Sequence, residues 1–137
     1  MSQPVDLTPE QALASMPFCS HLGMRFTVVE AAEVRAELPW APERCTIGGA
    51  LHGGALMSLA DAVGAVVAFL NLPEGGVGTT TISSSASFLR AVRDGHVEAV
   101  GRPLHAGRST VVVETELTDA TGRRVAKVTQ SQAVLRA

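Results

Sequence analysis

Asp61 is the sole acidic residue between His52 and Leu70, and no basic residue stands three or four positions away from it. On a helix those are the positions that could pair with it, so its charge must meet solvent, a partner or a ligand. A merely wet helical face would carry more charge than this one does. At ~100° per residue, Gly54, Ser58, Gly64, Ala65 and Ala68 surround Asp61, with Met57 the one large exception. Side chains this small would admit a close neighbour. Leu56, Leu59, Val63, Val66 and Leu70 fall on the opposite stripe and are expected to face a sheet.

His52-Gly53-Gly54 opens the same segment. The first turn of a helix presents unpaired amides and the positive end of the dipole, a setting that favours a developing negative charge. Glycine lets a carbonyl approach those amides, and one such donor contributes ~3 kcal/mol to an oxyanion-like transition state. Gly53 and Asp61 are eight residues apart, ~12 Å along a helix at ~1.5 Å per residue. One carbonyl group cannot touch both. If they act together, amide and carboxylate come from different subunits, which implies a two-fold dimer with two composite sites.

Several elements must position these groups. Thr8-Pro9-Glu10-Gln11 reads as the capped start of a short helix ending before Pro17, a lid or edge element. From Met24 to Trp40 the chain alternates as a half-buried strand, with Val34, Ala36, Leu38 and Trp40 on one face. The long helix runs from His52 to about Leu70 and is closed by Asn71, Pro73 and Gly75-Gly76. Strands are expected over Gly78–Arg90, His96–Leu104, Ser109–Thr118 and Arg123–Leu135, parted by turn residues at Asp94-Gly95, Ala106-Gly107 and Thr121-Gly122. In the first of these, Thr79, Thr81, Ser83, Ser85 and Ser87 alternate on one face and Thr80, Ile82, Ser84, Ala86 and Phe88 on the other. Short connections make neighbours antiparallel, giving an α+β architecture whose five- to six-stranded sheet wraps the helix.

The 137 residues fit one domain, 1–137, with no repeat or linker. A net charge of -2 without a dense Lys/Arg cluster argues against nucleic acid as a partner. The apolar run in the long helix is almost as long as a bilayer requires, but a central aspartate costs ~3 kcal/mol in membrane insertion, and the flanking segments are amphipathic strands. Cys19 and Cys45 lack metal-ligand spacing, and Met1 to Gln11 shows no signal-peptide pattern, so a cytoplasmic location is expected.

Gly49-Ala50-Leu51-His52-Gly53-Gly54, followed by Ser58-Leu59-Ala60-Asp61, resembles the motif of hotdog-fold thioesterases of the phenylacetate-pathway (PaaI-like) type. The resemblance extends over nearly the whole chain, including the Phe88-Leu89-Arg90 strand end, the Gly107-Arg108 turn and the hairpin from Asp119 to Gly122. It implies hydrolysis of an acyl-CoA, aryl or medium-chain, to free acid and CoA by a homodimer or homotetramer, without metal or organic cofactor. Gly53 would polarise the thioester carbonyl, and Asp61 of the partner subunit would act as general base or nucleophile. His52 and Gly54 would shape the turn that receives the substrate. Where the family carries Asn or Gln, seven residues before the first motif Gly, this chain has Thr46, whose hydroxyl could hold a water at shorter reach. Thr81 matches the polar residue that completes the family's site in the strand after the helix. Arg90 and Arg108 are candidates for CoA phosphates. His21, His96 and His105 carry no motif. Two other readings compete: a non-catalytic acyl-CoA-binding module, and a hotdog dehydratase or hydratase.

Overall fold

A computed structural model describes residues 6–137; the first five residues of the stretch read for a signal pattern lie outside the described residues. Helix α3, Gly53–Leu70, is the longest helix, with His52 as its N-cap and Asn71 as its C-cap. Its apolar stripe is inside: Leu56, Leu59, Val63 and Val66 are buried and Leu70 is half-buried. Burying each such side chain contributes ~2 kcal/mol, which outweighs the cost of a β-branched and glycine-containing helix. α3 is long and apolar enough to cross a membrane, yet it forms the centre of the core cluster.

Six strands supply the other side of that core: β1 Arg25–Glu30, β2 Glu33–Pro39, β3 Gly76–Phe88, β4 His96–Ala106, β5 Thr110–Asp119 and β6 Arg124–Arg136. The four strands expected after the helix each begin and end within two residues of the sequence reading. All pairs are antiparallel in the order β1-β2-β4-β5-β6-β3. Inward positions alternate along β2, β4 and β5: Val34, Ala36 and Leu38, then Val97 and Ala99, then Val111, Val113 and Leu117 are fully buried. The sheet curls around α3, and its two edges are β1 and β3.

Two elements correct the sequence reading. The half-buried strand expected from Met24 to Trp40 is a hairpin, β1 and β2, with Val29 opposite Val34 and Glu30 opposite Glu33. Its turn falls on Ala31-Ala32, which carry none of the residues that announce a tight turn. The short N-terminal helix ends before Pro17 as expected, but a second helix follows it directly. α1, Pro9–Ser15, starts with a reciprocal cap in which Thr8 and Gln11 bond each other's backbone amides. Pro17 then occupies the first turn of α2, Pro17–Leu22, which ends at Gly23 in the left-handed conformation, φ 89°.

β3 departs from simple alternation. Thr81 lies opposite Gln132 and Ser84 opposite Gln130, and the register shifts between Thr81 and Ser83. The extra residue, Ile82, is a bulge that exchanges the faces of the strand. Thr81 therefore shares the helix-facing side with Ser84, Ala86 and Phe88, not with Ser83, Ser85 and Ser87.

Candidate active site

Asp61 projects from the middle of α3 and is exposed. The Thr81 hydroxyl donates to its Oδ1 at 3.1 Å, a contact that exists because the Ile82 bulge turns Thr81 toward the helix. On the other flank α2 closes in, and Met16, Phe18, Cys19, Ser58 and Ala62 form with Asp61 a cleft of about 200 Å³. Burial raises the pKa of the Cys19 thiol, and the nearby Asp61 charge raises it further, so the thiol stays protonated at neutral pH. One turn along α3, an apolar cavity of about 360 Å³ opens between Leu7, Met16, Ala65, Val66, Phe69 and Thr79. Met16 lines both hollows. Of the small residues expected around Asp61, Gly64 and Ala68 are buried. At Gly64 the close neighbour is the chain's own β6, because a Cβ there would overlap the Gln130 amide.

The other half of the motif sits at the start of α3. The preceding loop is fixed by Trp40 Nε1 donating to the Gly49 carbonyl at 2.9 Å and by the Leu51 and His52 amides donating to the carbonyls of Val92 and Arg44, both at 2.9 Å. His52 Nδ1 accepts from the Gly54 amide at 2.8 Å; its ring is therefore neutral at that nitrogen, with any proton on Nε2. The Ala55 and Leu56 amides both donate to the His52 carbonyl. Gly54, expected to help receive substrate, has its amide already engaged. Among the described residues, only the Gly53 amide of this first turn has no partner. The Phe88 ring packs against Gly53, since a Cβ at position 53 would lie 3.4 Å from Cζ.

These two groups lie on a fold with known relatives. Residues 48–126 match the thioesterase superfamily. The chain belongs to that superfamily. Over 118 residues, 85% of this chain and 84% of the relative, it is 36% identical to the proofreading thioesterase EntH of Klebsiella pneumoniae. The structure of the thioesterase HI1161 from Haemophilus influenzae superposes with a TM-score of 0.89 at 26% identity, covering 99% of this chain and 96% of that one. The Escherichia coli PaaI structure shares the fold at 20% identity and a TM-score of 0.82, covering 93% and 91%. The helix wrapped by a six-stranded antiparallel sheet is thus the hotdog fold, and this thioesterase is a thioester hydrolase.

The remaining candidates of the thioesterase are dispersed. Thr46 caps the 3-10 turn Ile47–Gly49 ahead of α3 through its backbone, and its exposed hydroxyl makes no hydrogen bond among the described residues. Arg90 is exposed where β3 ends, its amide donating to the Val125 carbonyl. Arg108 is exposed in the β4–β5 turn, its carbonyl accepting from Arg136. Along β6, Val125 and Arg136 are separated by about 35 Å at ~3.3 Å per residue, so one protomer holds the two guanidiniums at opposite ends of the sheet.

Residues missed by the sequence reading lie beneath Thr81. Gln130 and Gln132 are buried on the helix-facing side of β6. Gln132 Nε2 donates to Thr81 Oγ1 and to Gln130 Oε1, each at 2.7 Å, while Gln130 Nε2 donates to the Ala60 carbonyl at 3.0 Å. The alternation Ala126, Val128, Gln130, Gln132, Val134 carried the signal: two amides stand where a core-facing strand should be apolar.

Proposed function

We propose that the protein is a cytoplasmic, single-domain acyl-CoA thioesterase acting on a small aryl or medium-chain acyl group as a two-fold dimer. Asp61 serves as general base or nucleophile, and the Gly53 amide of the other subunit takes the charge of the thioester oxygen. The observation that carries this reading is the division of labour within one chain: a carboxylate beside an apolar cavity and a single free helix-start amide, ~12 Å apart along α3. Neither half is sufficient alone. In the base mode Asp61 removes a proton from water as the water oxygen bonds the carbonyl carbon; the C–S bond then breaks and CoA leaves as thiolate, which takes up the proton. In the nucleophile mode an Asp61 oxygen bonds that carbon first, the C–S bond breaks and CoA leaves as thiolate. Water then hydrolyses the resulting anhydride, restoring the Asp61 carboxylate and freeing the acid, while the thiolate takes up the proton the water gives. The apolar cavity between Met16 and Phe69 suits the acyl group.

An unpaired edge supports the dimer. Among the described residues the outer side of β3 has no partner strand, and Val77, Ile82, Phe88 and Leu89 on or beside it are exposed. Antiparallel pairing of two β3 strands about a two-fold axis exchanges their ends. The Thr81 and Asp61 half of one copy would then approach the Phe88 and Gly53 half of the other, and Arg90 of one would share an end with Arg108 of the other, within reach of CoA phosphates. Both cysteines are free thiols, which suits a reducing compartment.

The test is thiol release from a panel of acyl-CoAs by wild type and Asp61→Asn. Turnover by wild type and a fall of about a hundredfold or more in kcat for the variant are expected. A dimeric Asp61→Asn protein with full turnover would remove the carboxylate from the mechanism. Tight binding of acyl-CoA by wild type without thiol release would favour a binding module, and loss of enoyl absorbance without thiol release would favour a hydratase.

A further inference from the structure

We infer that Gln132, oriented by Gln130, is a positioning residue for catalysis: through the Thr81 hydroxyl it fixes which way a proton points at the Asp61 carboxylate. This rests on the reading of Asp61 as the catalytic carboxylate.

The inference follows from the donor and acceptor inventory. A backbone carbonyl only accepts, so Gln130 must present its NH₂ to Ala60, and its own carbonyl oxygen is left facing Gln132. Gln132 must then turn its NH₂ toward Gln130, and the same nitrogen reaches Thr81 Oγ1. A hydroxyl that accepts there has one proton left, and the group in line for it is Asp61 Oδ1. The polarity of the chain is set at the helix backbone and delivered at the surface, with no link free to flip. Asp61 Oδ1 is thereby held as an acceptor, leaving Oδ2 for water or the acyl carbon.

Room for this chain is built into the helix. Gly64 stands in mid-helix, where glycine is disfavoured relative to alanine, and a Cβ at that position would occupy the space of the Gln130 amide. Two buried amides on an otherwise apolar strand face and a glycine opposite them are explained by one requirement.

Five variants test it in the intact protein. Gln132→Met keeps the volume and removes the donors; kcat should fall about tenfold or more, with KM little changed, the loss of a hydrogen bond to a charged system. Thr81→Val should give a similar fall and Thr81→Ser should restore it. The double variant should be no slower than either single one, because both break the same chain. Gln132→Glu presents an acceptor to both neighbours and should be slower than Gln132→Met. If Gln132→Met lowers kcat as much in the Thr81→Val background as in wild type, the positioning role is wrong. Should the buried variants fail to fold, the side-chain amide resonances of Gln132 in the otherwise native Thr81→Val protein decide: a shift with faster proton exchange supports the chain, and unchanged signals overturn it. Asp61→Asn is assayed alongside. If it retains turnover, the functional reading fails; if it is inactive while Thr81 and Gln132 act independently, only the chain fails.

Discussion

Thr115 is fully buried on β5, and its Oγ1 is the one buried side-chain polar atom without a partner among the described residues. Its desolvation is uncompensated, so Thr115→Val, which exchanges hydroxyl for methyl at equal volume, should stabilise the fold by ~1 kcal/mol and raise Tm by about 4 °C. Thermal denaturation checks this; an unchanged or lower Tm would mean the hydroxyl has a partner after all. Asp119 is the opposite case. The Thr121 hydroxyl first, then the Arg123 and Thr121 amides and the Arg123 charge, lower its pKa from 3.8 to about 2. A carboxyl with a depressed folded-state pKa stabilises fully above its unfolded value and loses that contribution as pH falls through the folded one. The Asp119→Asn acid-unfolding curve should therefore lack a component between pH 3.8 and about 2, followed by circular dichroism. At this scale Asp61 and Gly53 were legible as candidates, because an isolated acid on an apolar helix and a glycine pair at its start are local anomalies. Gln130 and Gln132 were not, since their partners Ala60 and Thr81 lie more than fifty residues away.

The elements were legible wherever turn residues or periodicity marked them, as in α3 and the strands after it. The Ala31-Ala32 turn and the Ile82 bulge had no such marks. A one-residue bulge changes the parity of everything beyond it, so strict alternation placed Thr81 with the wrong companions. The start of α3 offers a clean test of the amide. His52 is extended, φ -63° and ψ 136°, as a residue before proline prefers, and Gly53 is the first helical residue, where proline is well tolerated. Gly53→Pro should therefore leave helicity and Tm nearly unchanged and lower kcat by about a hundredfold or more, measured by circular dichroism and thiol release. Retained turnover would show that another donor meets the thioester oxygen.

For the whole molecule, the architecture followed from counting one long helix and a run of antiparallel strands. The far edge position of β3 did not, because strand order is settled by how the sheet closes over α3 rather than by any local signal. That exposed edge makes the composite site testable without a structure of the assembly. Asp61→Asn and Gly53→Pro, each inactive alone, should on unfolding and refolding together regain about a quarter of wild-type turnover, since half the random pairs are mixed and each mixed pair has one intact site. No recovery in mixed dimers, verified by differential tagging, would place both groups of each site in one subunit.

Gly64 has a consequence for anyone engineering the protein for heat tolerance. Replacing a helical glycine by alanine is among the first substitutions such a campaign tries, because it restricts the denatured chain and improves propensity. At this position the added methyl group competes with the Gln130 amide for the same space, so a selection for survival at high temperature and a selection for turnover should retain different residues at position 64.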